Sequence, residues 1–141
     1  MYADYAYYTD VFLGTFFTTE ADYNRNALDA SDFIDYITMG RAKDHADLDA
    51  VKRCCCALAE QYATIGALRI AAAAKVTTDG IIASESVGSH SRSFRSGVDA
   101  AQAVSSAQQE LANIARRYLL PTGLLYRGVN TCVHTAHCHS V

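Results

Sequence analysis

Between Leu48 and Ile65 the residues Leu48, Val51, Cys55, Leu58, Tyr62 and Ile65 recur at alternating spacings of three and four. That alternation is one face of an α-helix, and it runs on through Leu68 into the alanines from Ala71 to Ala74. A helix over 45–74 would be roughly 40 Å long at about 1.5 Å per residue. In a chain of 141 residues such a helix has to be the spine on which the other elements pack. Gly66 is its one weak point, since a glycine inside a helix costs about 1 kcal/mol.

Two further helices flank the spine. Thr19 is an N-cap residue followed by Glu20 and Asp22, carboxylates that favour the positive end of a helix dipole. Tyr23, Ala27, Ala30, Ile34 and Ile37 then form a helical stripe, and Gly40 stands where a C-terminal cap glycine belongs. The expected helix is 19–39. A last helix is expected over 98–120, with Val104, Ala107, Leu111, Ile114 and Tyr118 on one face and Pro121 ending it.

Before the spine, Tyr2, Tyr5, Tyr7, Tyr8, Phe12, Phe16 and Phe17 crowd the first eighteen residues. They predict a short helix or turn packed on the body. After the spine, Asp79-Gly80 is a turn signal, and the serine-rich stretch 81–95 loses helical period. The expected fold is therefore mostly α, a small three-to-four-helix bundle with a short β-hairpin or extended excursion before the last helix. The reading is one helical domain over 1–128 and a polar tail over 129–141.

A hydrophobic content of 50% with 19% charged residues marks a folded chain. The net charge of −3 argues against an autonomous nucleic-acid binder, which carries a basic footprint. No segment is apolar enough to cross a bilayer and the start lacks signal-peptide features, so synthesis in the cytoplasm and no membrane partner are expected. Five cysteines, three of them consecutive, fit reduced thiols better than a disulfide framework.

The candidate chemistry is thin. Successive residues on a helix diverge by about 100°, so Cys54, Cys55 and Cys56 cannot converge on one metal and read as packing. His45 and His90 have no nucleophile-and-base spacing around them, and Gly88 and Gly97 do not make a phosphate loop. Asp29, Asp32 and Asp35 repeat every third residue and read as a solvated face. Arg92, Arg95, Arg116, Arg117 and Arg127 are a basic concentration that reads equally as a surface for an acidic partner or glancing phosphate contact and as ordinary solubilising charge. The tail residues Cys132, His134, His137 and Cys138 could ligate zinc, although their spacing is not that of a finger. The expectation is no enzyme, no cofactor and no resident metal; the alternative is a small metal-binding regulatory protein acting through that Cys/His tail.

An ordered set of motifs carries a resemblance. Ile34-Asp35-Tyr36-Ile37-Thr38-Met39-Gly40-Arg41 has the form ID-x-x-T-x-GR, Glu85-Ser86-Val87-Gly88-Ser89 follows the spine, and Arg117-Tyr118-Leu119-Leu120-Pro121-Thr122-Gly123-Leu124-Leu125-Tyr126-Arg127-Gly128-Val129 closes the domain. With the tyrosine-rich start, this order resembles the head–tail connector (adaptor, head-completion) proteins of long-tailed phages. The resemblance implies a structural virion protein at the neck that forms a dodecameric ring beneath the portal. Such a ring extends the DNA channel without sequence-specific contact and docks the neck or tail-completion protein.

By that analogy Leu124, Leu125, Tyr126 and Arg127 face the portal. Ser89, His90, Arg92, Phe94 and Arg95 meet a neighbouring subunit, the channel or the tail. Ile81, Ile82, Phe94, Leu124, Leu125 and Tyr126 are expected to have few partners within the chain, and the isolated protein to be a monomer or weak oligomer.

Overall fold

A computed structural model of the chain describes residues 1–82 and 96–126, without the side chains of 75–82 and 96–100. Among the described residues four helices occur in order: α1 (Tyr5–Asp10), α2 (Glu20–Thr38), α3 (Asp49–Ile82) and α4 (Ser96–Leu119). Short 3-10 turns cover Arg41–His45 and Leu120–Thr122. No strand occurs among the described residues. The fold is mostly α, as expected.

α2 starts where its cap lies. The Thr19 hydroxyl accepts from the Asp22 amide at 3.2 Å and donates to the Asp22 carboxylate at 2.7 Å. α3 starts later than the stripe implied. Residues 41–45 form a separate 3-10 turn, so Leu48 lies outside the helix and is partly exposed, while its carbonyl accepts from Val51 and Lys52. α3 also ends later. Asp79 and Gly80 are helical and so are Ile81 and Ile82, which corrects the turn and the start of the excursion. Once a helix is running, each added residue gains a hydrogen bond at small entropic cost. One glycine at about 1 kcal/mol does not stop it where no proline follows. The rest of the expected excursion, 83–95, lies outside the described residues.

α3 is the spine. α2 and α4 both pack along it and make little contact with each other. Having neighbours on two sides explains why Cys54, Cys55 and Cys56 are all fully buried, not Cys55 alone. The Cys55 sulfur lies 3.5 Å from the Ser31 hydroxyl, and the Cys56 sulfur 3.4 Å from the Tyr23 hydroxyl. Burial pushes the Cys56 thiol up to about 12 and raises that of Cys54 further, so both remain protonated and inert at neutral pH. Ile34 and Leu58 anchor the core with Leu111, Ile114 and Leu119 of α4. Each such side chain contributes about 1.5–3 kcal/mol relative to exposure.

The aromatic start is fastened by phenols on carboxylates. Tyr2 donates to Asp35 of α2, Tyr7 to Asp49 of α3, and Tyr8 to Glu60 of α3 at 2.7 Å. Tyr8 is the hub: fully buried, its ring 4.7 Å from that of Tyr23 and 5.5 Å from that of Phe17. Its oxygen also accepts from the amides of Phe16 and Phe17. Gly14 lies against the Tyr8 ring, where a Cβ would come within 2.1 Å of two ring carbons. Only glycine fits there.

Two outcomes follow. Tyr8→Phe strands Glu60 and two amides and should cost about 2–3 kcal/mol; Gly14→Ala should cost at least about 1–3 kcal/mol through overpacking. Urea denaturation checks both, and a loss below about 0.5 kcal/mol for either would contradict the hub. The second outcome concerns alkaline pH. Desolvation first, and the carboxylate hydrogen bond second, push Tyr7 and Tyr8 each up to about 12, against about 10 for a free phenol. A raised folded-state value means that the contribution is intact below about pH 10 and is lost as pH climbs toward about 12. Helicity followed by circular dichroism should fall in that window together with phenolate absorbance. Phenols ionising near 10 with helicity unchanged would refute it.

Candidate functional site

The end of α2 is a joint. Gly40 donates to the Asp35 carbonyl at 2.8 Å and Met39 to the Tyr36 carbonyl at 3.3 Å. This paired pattern is a Schellman cap. Its left-handed position is filled by Met39 at φ 55°, and Gly40, expected as the cap glycine, follows at φ 79°. The Thr38 hydroxyl is fully buried, donating to the Ile34 carbonyl at 2.7 Å and accepting from the Ala42 amide.

Arg41 closes the joint. Its Nε donates to the Thr38 carbonyl at 3.0 Å and its Nη1 to the Tyr126 carbonyl. Each named residue of the ID-x-x-T-x-GR pattern therefore has a structural task. Asp35 also accepts from the Tyr2 hydroxyl and pairs with Lys43 at 3.6 Å, so it is not part of a merely solvated face; Asp29 and Asp32 are exposed as expected.

Large apolar side chains project from this joint. Tyr36 is 78% exposed, Met39 71% and Tyr126 63%, and Leu120 is exposed as well. Leu124 departs from expectation: it is buried in the core, and Leu125 is half-buried against that core. The cause is Gly123 at φ 74°, whose amide bonds to the Leu120 carbonyl while its own carbonyl accepts from Tyr126. The chain turns back and seats Leu124 on the body. Of the expected portal-side strip, only the Tyr126 ring stands free, and Arg127 lies outside the described residues. Ser89, His90, Arg92, Phe94 and Arg95 lie outside them too, as do Cys132, His134, His137 and Cys138. Arg117 pairs loosely with Glu110 at 3.9 Å. Arg116 lines a small cavity of about 290 Å³ with Ile37, Ala115 and Leu125.

A larger groove was not anticipated. It has a volume of about 940 Å³ and lies where α2, α3 and α4 diverge. Phe33, Tyr62, Ile65 and Leu111 contribute apolar surface, and Arg25, Asp29, Arg69 and the exposed Ile70 also line it. Gly66 lies in it with open space where a Cβ would stand. The signal in the sequence was the second stripe of α2, Asp22, Arg25, Asn26, Asp29 and Phe33, which reads as solvated until its neighbours are known.

Among the described residues no cluster of three or more His, Cys, Asp or Glu side chains could hold a metal, and no helix is long and apolar enough to cross a membrane. The chain matches no protein-family model, no curated protein and no solved structure.

Met39 is mostly solvent-exposed, so its left-handed backbone is not compensated by burial. Relief of that conformation is worth about 1–2 kcal/mol, less about 0.5–1 kcal/mol for the added freedom of glycine when unfolded. Met39→Gly should therefore stabilise the fold by up to about 1 kcal/mol in urea denaturation. A destabilisation would mean that the exposed side chain makes a contact within the chain.

Proposed function

We propose that this chain is a non-enzymatic virion component of the head–tail connector type. In this reading it forms a ring, dodecameric in its phage counterparts, beneath the portal at the neck. It extends the DNA channel, passes DNA without reading sequence, and docks the neck or tail-completion protein.

The observation that carries the reading is the ordered run of motifs. It is supported by what the first of them does in the fold. ID-x-x-T-x-GR ends a helix, ties it to the chain after α4, and holds Tyr36, Met39 and Tyr126 out to solvent. A joint of this kind builds a rigid presenting surface, and exposed apolar surface of this sort marks an interaction site. Portal contact is assigned to Tyr126, Arg127 and the residues after them. Leu124 is excluded because it serves the core.

Truncation after Tyr126 tests this. The shortened protein keeps Leu124 and the Arg41 bond to Tyr126, so it should retain its helicity. It should no longer bind capsids that carry a portal, whereas the full chain binds them and supports tail joining. Full decoration of capsids by the truncated protein would move the portal contact elsewhere. Failure of the full chain to bind any portal-bearing capsid would end the connector reading.

A further inference from the structure

We propose that residues 1–17 form a strap that undocks from α2 and α3 as one unit while α2, α3 and α4 stay folded, and that this opening controls chemical access to the Cys56 thiol. The inference goes beyond the connector reading and does not depend on it.

The strap is tied to the body by side chains. Among the described residues its backbone–backbone hydrogen bonds are internal, such as Tyr8 to the Asp4 carbonyl at 3.1 Å and Gly14 to the Tyr8 carbonyl at 2.9 Å. The bonds that cross to the helices all use a side chain. They are the phenol–carboxylate bonds of Tyr2, Tyr7 and Tyr8, the Tyr2 amide donating to the Ser31 hydroxyl at 3.2 Å, and the Tyr23 hydroxyl donating to the Ala3 carbonyl at 3.2 Å. Much of the strap's apolar surface stays in water: Val11, Leu13 and Phe16 are exposed, and Leu13 has a left-handed backbone as well. The three long helices meanwhile share a core of their own in Ile34, Leu58, Leu111, Ile114 and Leu119. A segment with few buried apolar contacts and no backbone ladder to its neighbours opens at a lower free energy than the whole molecule.

One of the three adjacent cysteines lies beneath it. The Cys56 sulfur is 3.4 Å from the Tyr23 hydroxyl. The Tyr23 ring is in turn covered by strap rings, with centroids 5.8 Å away at Tyr5, 4.7 Å at Tyr8 and 5.6 Å at Phe17. When the strap leaves, Tyr23 loses those rings and the Ala3 carbonyl, and is free to turn away from Cys56. The other two thiols have other covers. The Cys55 sulfur lies 3.5 Å from the Ser31 hydroxyl and 3.6 Å from the Ala27 carbonyl, beneath α2. Cys54 stands seven residues before Gln61 and so on the same face of α3, and Gln61 donates to the Ala107 carbonyl of α4 at 2.7 Å. Successive helical residues diverge by about 100°, which places the three neighbours under three different elements.

Labelling with N-ethylmaleimide tests the strap in the full chain. Cys132→Ser and Cys138→Ser remove the other two cysteines, and peptide mass spectrometry assigns each adduct. At reagent concentrations where the rates scale with reagent, and without denaturant, Cys56 should react at least about tenfold faster than Cys54 or Cys55. Tyr7→Phe and Tyr8→Phe remove anchors well beyond the first residues. They should speed labelling of Cys56 by at least about twofold and about tenfold respectively. Ile114→Val, in α4, should speed labelling of Cys54 by roughly two- to tenfold and leave the Cys56 rate unchanged.

Labelling of all three thiols together, at the rate of global unfolding, overturns the proposal. So does a Cys56 rate that ignores both tyrosine substitutions, because only the first few residues would then be fraying. A Cys56 rate that rises with Ile114→Val as much as that of Cys54 overturns it too, since the opening would then include α4.

Discussion

The guanidinium of Arg41 connects parts of the chain that are far apart in sequence. With one nitrogen on the Thr38 carbonyl and another on that of Tyr126, it ties the end of α2 to the chain leaving α4 across 85 residues. The carbonyls at a helix C-terminus are left without helical partners and carry partial negative charge, so a cation there is favoured by both hydrogen bonding and the dipole. The cost is visible as well: Nη2 is buried with no acceptor among the described residues. Because the Schellman cap, the 3-10 turn and the exit of the chain at Tyr126 meet at this one side chain, the apolar residues around it are presented in a fixed arrangement.

The second constraint is the way phenols meet carboxylates. Tyr2, Tyr7 and Tyr8 each donate to an acid on α2 or α3. A tyrosine buries a large ring and brings a donor with it, so the amino-terminal segment gains apolar burial and specific anchoring from the same residues. A phenylalanine-rich start would supply the first and not the second. The dependence is strongest at Tyr8, whose oxygen serves Glu60 and two amides while Gly14 makes room for the ring.

Much of this fold was legible in the sequence, and the exceptions share a cause. The stripes of α2, α3 and α4 and the Thr19 cap could be read because they are local: periodicity and capping depend on near neighbours along the chain. Cys54, Cys55 and Cys56 read as packing and are all buried, but the stripe itself marked only Cys55, because a stripe counts one buried face and α3 has two neighbours. Leu48 fitted the period but fell in the turn before the helix, and Gly80 resembled a stop although propagation carries through it. Leu124 looked free because the return of the chain at Gly123 depends on a left-handed glycine, which spacing does not reveal. The groove was invisible for a deeper reason. It exists only because α2 and α4 share a spine and diverge from each other, and no single segment encodes that relation.

Backbone conformation and exposure together separate surfaces that serve the fold from those that do not. Among the described residues, the two non-glycine residues with positive φ are Leu13 and Met39, and they are also 72% and 71% exposed. A left-handed conformation costs energy, and leaving a large apolar side chain in water forgoes the burial that would offset it. A chain shaped by stability alone would place glycine or asparagine at both positions, as helix caps and turns ordinarily do. Such conflict between local preference and global fold gathers where a surface serves something besides stability. At Met39 the conflict lies at the joint closed by Arg41, near the exposed Tyr36 and Tyr126. At Leu13 it lies two residues in sequence from the exposed Val11, and Phe16, exposed as well, lines the groove between α2, α3 and α4. Both strained residues therefore present large apolar side chains to solvent at a conformational cost, on surface that the stability of the described fold does not require.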